Sequence, residues 1–262
     1  VGADGATHAG SFDVAYLANL PACLVGLEAC GGSHYWAREL GKQGHQVRLM
    51  APQYVKPYIK GNKNDYNDAE GICEAVSRPG MRFVPVKTTE QQDIQGLHRI
   101  RASLVKQRTM LSNQIRGLLS EYGVVIRQGL SQIRRGVPEV LEDAENGLSE
   151  RFRGWLADLL AAFRALDERI KEYDRAVAEE HAHNETSQRL SAIEGVGPVI
   201  ATAAVASYGD ASQFSGARQF SASLGIVPRQ HTTGGRPVLL GISKRGDRYL
   251  RTLLIHGARA VI

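Results

Sequence analysis

The chain has 262 residues, of which 43% are hydrophobic and 23% charged, with a formal net charge of +5. That is enough apolar material for a packed core and too little polarity for wholesale disorder. Cys23, Cys30 and Cys73 are too few for a disulfide framework, which makes a reducing compartment the expectation. No apolar run approaches a membrane span, and no basic-then-apolar leader opens the chain, so a cytoplasmic protein without a membrane partner is expected.

The chain opens on Val1 and closes in an apolar helical pattern that has no stop signal, so it reads as an internal fragment of a longer protein. Residues 1–20 carry Gly2, Gly5 and Gly10 and suggest a loop or the remnant of a hairpin. Cys23 to Glu28 is a short apolar run ending in an acid, the pattern of a buried strand that delivers one carboxylate to its edge. Gly31-Gly32 turns the chain. Ser33 is expected to cap a helix over 34–42 that Gly44 ends, with Trp36 and Leu40 inward. Residues 45–50 form the next strand. Pro52 and Pro57 then break the regular pattern, leaving a basic, aromatic connector of Tyr54, Lys56, Tyr58, Lys60 and Lys63.

The connector leads into Asn64-Asp65-Tyr66-Asn67-Asp68, a helix start with Asn64 as N-cap. Asp65 and Asp68, three apart, project from one side of the first turn. Two carboxylates so close repel unless a cation lies between them, and an oxygen pair suits a hard ion such as Mg²⁺. An isolated pair of this kind is more often two solvated acids. Strand, helix, strand, connector and helix make an α/β unit.

After Arg78-Pro79-Gly80 and an extended piece at 82–86, Thr88 or Thr89 starts a helix that runs to about Glu121, with Ile94, Leu97, Ile100, Leu104, Leu111, Ile115, Leu118 and Leu119 on its apolar stripe. Residues 124–147, with Gly129, Gly136, Pro138 and Gly147, are read as a connection. A second long amphipathic helix spans 149–183. The two pair antiparallel most simply, as a coiled-coil arm or an ordinary helical subdomain.

Leu190 to Ala201 holds Gly195-Val196-Gly197-Pro198 between two helical patterns, a helix-hairpin-helix signature whose backbone N–H groups suit a DNA phosphate. A purely scaffolding turn is the alternative. Phe214 to Leu224 reads as helix and 225–236 as a polar, flexible loop. From Ile226 to Arg259 the one acid is Asp247, against Arg229, Arg236, Lys244, Arg245, Arg248, Arg251 and Arg259. Such a one-sided run, interleaved with glycine and hydroxyls at Ser243 and Thr233, suits a phosphate backbone.

These motifs, in this order, resemble the DEDD transposases of the insertion sequence 110 family, which are RNA-guided recombinases. The likeness is carried by Leu27-Glu28-Ala29-Cys30-Gly31-Gly32, Asn64-Asp65-Tyr66-Asn67-Asp68-Ala69, the Gly195-Val196-Gly197 hairpin, Gly225-Ile226-Val227-Pro228-Arg229 and Ile242-Ser243-Lys244-Arg245-Gly246. The resemblance implies a fold of α/β plus all-α class in three parts. These are a partial RNase H/RuvC-like domain at 1–87, a coiled-coil helical arm at 88–184 and an incomplete C-terminal transposase domain with a helix-hairpin-helix at 185–262.

It also implies Mg²⁺ held by four acids, of which Glu28, Asp65 and Asp68 match the second, third and fourth. The first, an Asp on an opening strand, has no counterpart, since Asp4 and Asp13 lie too close to Glu28 and in the wrong context. The family's serine nucleophile matches Thr233, with Thr232 as a neighbour one register away. Gly195, Gly197, Arg229, Arg236, Ser243, Lys244 and Arg245 become the expected nucleic-acid contacts. DNA, an element-encoded guide RNA and further copies of the chain, as a dimer or tetramer, become the expected partners, in a nucleoid-associated cytoplasmic setting. A RuvC-like nuclease that uses water, or a catalytically dead DNA- or RNA-binding remnant, are the competing readings.

Overall fold

The computed structural model describes residues 14–62 and 64–262. Most of the opening read as a loop or hairpin remnant, with Asp4 and Asp13, lies outside the described residues, and so does Lys63. The chain divides into two compact units at Thr89/Glu90. The segment expected as a helical arm and the expected C-terminal domain fall in the same unit.

In the first unit a short helix α1 (Val14–Ala18) precedes β1 (Leu24–Glu28), α2 (Ser33–Lys42) and β2 (Gln46–Met50). The two strands are parallel, with Leu24 opposite Gln46 and Glu28 opposite Met50, and α2 makes the crossover that parallel pairing demands. A two-residue β3 (Phe83–Val84) adds antiparallel to β2, giving the order β1-β2-β3. Ser33 is not the cap of α2. Gly32, in the left-handed region at φ 80°, takes that place, and the Ser33 hydroxyl instead donates to the Cys30 carbonyl at 2.8 Å.

The connector is not open chain either. Pro52 opens a helical turn, α3 (Pro52–Val55), and Pro57 sits inside a 3₁₀ turn (Lys56–Tyr58). A proline in a first turn gives up an N–H that would have no helical partner there, so it starts these turns where an interior proline would have broken them. α4 (Asp65–Val76) then packs through Ala75 and Val76 onto Met50 and Val55.

The second unit is built on α5 (Thr89–Ser120) and α7 (Glu150–Ala182). Arg101 meets Asp174, Arg108 meets Asp167, and Tyr122 meets Phe152, so one helix descends as the other rises: the pair is antiparallel. Between them lies α6 (Leu130–Glu142), a helix where the glycines and Pro138 suggested a connection. Ile133 and Val137, four apart, are fully buried among Ile115, Leu119, Leu156 and Phe163, and this apolar burial outweighs the backbone hydrogen bond that Pro138 removes. The same helix supplies Arg134 to Asp167. Burial alone pushes the Asp167 carboxyl up, but hydrogen bonds from Arg134 and Arg108 overcome it and hold the pKa below its ordinary value.

The chain continues through α8 (Glu185–Ser191), α9 (Pro198–Tyr208), α10 (Ala217–Leu224) and α11 (Arg248–Val261), around a core of Ile200, Ala203, Leu224 and Leu250. α10 starts three residues later than the pattern suggested, because Gln219 reaches back to accept from the Ser215 N–H at 2.6 Å and so caps the turn before it. The stretch read as a flexible loop is in fact an antiparallel hairpin of β4 (Pro228–Thr233) and β5 (Arg236–Ile242). Gly234 and Gly235, both at positive φ (57° and 76°), form its two-residue turn, a geometry that glycine alone adopts without strain. Among the described residues no helix is long and apolar enough to cross a membrane.

Candidate functional site

Each predicted acid is positioned by a local device. Gly26 lies under α4: a Cβ there would come within 3.0 Å of Ile72 and Val76, so only glycine lets the helix lie this close to β1. Glu28, two residues on, shares that strand face, and it is half-buried at the end of β1. On α4, Asp65 and Asp68 precede Ile72 by seven and four residues, which sets them on the same helical stripe. Asn64 caps the helix as its spacing demands, accepting from the Asn67 N–H at 2.8 Å. The Asn67 side chain in turn ties the preceding turn down by donating to the Asn62 carbonyl at 2.6 Å.

Glu28 and the aspartate pair thus lie on a strand and a helix that pack together through Gly26, Ile72 and Val76. None of the three carboxylates forms a salt bridge among the described residues. They are not drawn into a ligand cluster: no group of three or more His, Cys, Asp or Glu side chains among the described residues is close enough to hold a metal ion. The donor set is all carboxylate oxygen, which is the chemistry of a hard divalent cation.

The basic residues belong to the second unit. Thr233 ends β4 opposite Arg236, and His231 lies opposite Val238. Alternation along the strand puts Thr233, His231 and Arg236 on one face of the hairpin and Thr232 on the other, where its hydroxyl accepts from Gln230 at 2.8 Å. The fold therefore separates the two threonines that the sequence left one register apart. Arg229 lies at the irregular end of the ladder, exposed.

Ser243-Lys244-Arg245 is held quite differently. Its backbone crosses that of residues 223–227, with Ser243 N–H donating to Val227 O at 2.8 Å and Lys244 N–H to Gly225 O at 2.9 Å. A Cβ on Gly225 would collide with the Arg245 carbonyl, and one on Gly246 with the Ser223 carbonyl. Lys244 is held at φ 55°, a conformation side chains avoid. Beneath the crossing, buried Arg251 donates to the Leu224 carbonyl at 2.8 Å. The Lys244 and Arg245 side chains remain exposed on this fixed backbone.

Gly195, at φ 80°, is pressed against α11: a Cβ there would come within 2.8 Å of the Gly257 carbonyl. That contact is scaffolding. Gly197, the N-cap of α9, is exposed, with nothing near its Cα to block approach.

One constellation escaped the sequence reading. His98, on the apolar stripe of α5, is only 2% exposed and sits between Thr202 of α9 and Tyr249 of α11. Burial, then the charge of Arg101, lowers its pKa to about 4. It lines a cavity of about 270 Å³ with Gln95, Arg99, Ser207, Asp247 and Tyr249. A lone histidine in a leucine-rich stripe was the available signal.

Residues 12–124 match the family model described as "Transposase" of the DEDD insertion sequence 110 type, and residues 187–262 match "Transposase IS116/IS110/IS902 family". The chain is 52% identical to "Probable family 20 transposase" of Pseudomonas aeruginosa, over 94% of this chain and 73% of that protein. It is 48% identical to "Transposase for insertion sequence element IS1111A" of Coxiella burnetii, over 95% of this chain and 68% of the relative. With "Transposase for insertion sequence element IS1328" of Yersinia enterocolitica the identity is 43%, over 93% and 72%. On these matches, at both ends of the chain and across its length, the protein belongs to the IS110/IS116/IS902 family of transposases, which are DNA-processing enzymes.

Proposed function

We propose that the chain recombines DNA for insertion-sequence transposition by transferring strands through a covalent intermediate on Thr233, with Glu28, Asp65 and Asp68 holding Mg²⁺. The observation that carries this reading is the direct packing of β1, which ends in the half-buried Glu28, against α4, whose first turn carries Asp65 and Asp68, through Gly26. When bound, Mg²⁺ supplies charge stabilisation at the reacting phosphate.

The protein's own groups do the rest. The Thr233 hydroxyl oxygen bonds phosphorus as a bridging P–O bond breaks. Its proton leaves, and the departing strand oxygen gains one. Arg236, on the same hairpin face as Thr233, with Arg229, Lys244 and Arg245, offsets phosphate charge, and the Ser243 hydroxyl can donate to a phosphate oxygen. Gly195 and Gly197 contribute the hairpin that meets the backbone of DNA. Because the phosphoester bond conserves the energy of the broken strand, the reaction can be reversed to rejoin it.

In this reading the first unit is a RuvC-like domain, α5 and α7 form a coiled-coil arm, and α8 with α9 a helix-hairpin-helix. The working form is a cytoplasmic homo-oligomer that carries an element-encoded guide RNA.

The test is to incubate the protein with element-end DNA and Mg²⁺ and to search for a DNA-linked Thr233 peptide by mass spectrometry. The adduct is expected in the wild type and absent from Thr233→Val and Asp65→Asn. Free 5′-phosphate ends without any adduct would instead make the chain a water-using nuclease. Intact binding with neither product would make it a non-catalytic remnant.

A further inference from the structure

His98 has two polar partners, and their geometry fixes where its proton sits. The Thr202 hydroxyl donates to the Pro198 carbonyl at 2.7 Å, so its oxygen accepts from His98 Nε2–H at 2.9 Å. In a neutral imidazole the other nitrogen is then the acceptor, and the Tyr249 hydroxyl donates to Nδ1 at 3.1 Å. The charge of Arg101, which pairs with Asp174 of α7, acts on Tyr249. The donors thus run one way, from Tyr249 through His98 and Thr202 to Pro198, an arrangement in which each bond strengthens the next.

The two ends of this relay lie where the phosphate-contacting segments begin. Pro198 is the first residue of α9, directly after Gly195-Val196-Gly197. Tyr249 is the second residue of α11, four beyond Arg245, and Asp247 between them caps that helix through the Leu250 N–H at 2.9 Å. One imidazole on α5 therefore touches the first or second turn of both helices. The charged groups that face it are Arg101 from α5 and Asp247 from α11, with Arg99 at the cavity wall.

We propose that His98 is a positioning residue that sets the spacing between the Gly195–Gly197 hairpin and the Ser243–Arg245 loop, so that both engage phosphates of one DNA duplex together. The inference rests on the phosphate roles assigned to those two segments above.

The measurement is the affinity of the protein for a fluorescein-labelled mixed-sequence DNA duplex across a salt series. Each phosphate contact contributes a slope of about −0.9 in log K against log salt. Thr202→Val removes both bonds of the Thr202 hydroxyl, Tyr249→Phe removes the bond to His98 Nδ1, and both leave the packing shape in place. Both are expected to weaken binding about tenfold and to flatten the slope by about one contact. Thr202→Ser, which keeps the hydroxyl, is expected to restore both. His98→Gln should behave as Thr202→Val does. A purely structural role would lower the active fraction without changing the slope.

An unchanged slope in Thr202→Val and Tyr249→Phe, alongside a flattened slope in Arg245→Ala, would overturn the positioning role while the phosphate reading stands. An unchanged slope in Arg245→Ala would overturn the phosphate reading, and this inference with it.

Discussion

The Ser243–Gly246 loop and the β4–β5 hairpin carry basic and hydroxyl side chains of similar kind, a few residues apart, on opposite structural principles. The loop is welded to the core. Its backbone hydrogen-bonds residues 223–227, two glycines let the strands of chain cross, and Arg251 satisfies carbonyls beneath. The hairpin is exposed along every residue of both strands, with Val238 at 54% and Leu239 at 66%. Its shape comes from cross-strand bonds and the Gly-Gly turn alone. A two-stranded ribbon with no face packed is marginal by itself. The contrast separates a backbone-fixed loop from an unpacked arm; in the proposed reaction the first would hold a phosphate and the second would present Thr233.

Substitution can break that contrast from either side. The largest effect belongs to Gly246→Ala. Its Cβ would strike the Ser223 carbonyl at a residue held at φ 90°, so we expect a loss of about 3 kcal/mol or more in urea unfolding of the second unit. Equal stability to wild type would show that the crossing is not fixed.

Acid is the next lever. His98 is neutral when folded, with a pKa of about 4, while the unfolded chain titrates at the ordinary 6.5. Protons therefore bind the unfolded chain preferentially between those values. The stability that His98 contributes is fully present above pH 6.5 and is lost as pH falls towards 4, by on the order of 3 kcal/mol. Thermal melts from pH 7 to pH 4 should show this limb, and His98→Gln should flatten it. The hairpin has no part in that network, and its amide exchange should follow global unfolding no more closely at acid pH than at neutral.

The smallest effect sharpens the comparison from the hairpin side. Leu239→Ser replaces an apolar side chain that touches water already, so the free energy of unfolding should change by no more than about 0.5 kcal/mol. A larger loss would mean that β5 is buried against something in solution.

The amino-acid order alone determined the parts whose causes are local. Asn64 caps α4 because its side chain needs only the N–H three residues on. β1 and β2 alternate with α2 because apolar runs and glycine turns are written in consecutive residues. The long stripes of α5 and α7 likewise set their helices, and the family is legible because its motifs are strings of neighbours. Tertiary structure decided what depends on distant partners. α6 exists despite Gly136 and Pro138 because Ile115, Leu119 and Phe163, far along the chain, bury its apolar face. The stretch at 228–242 became a hairpin because the ladder fixes Thr233 opposite Arg236, and only that register separates Thr233 from Thr232. His98 reads as one polar residue in an apolar stripe until Thr202 and Tyr249, 104 and 151 positions away, are brought to its two nitrogens. Hydrogen bonds of that range are invisible to periodicity, because periodicity records which face a side chain is on and never what waits there.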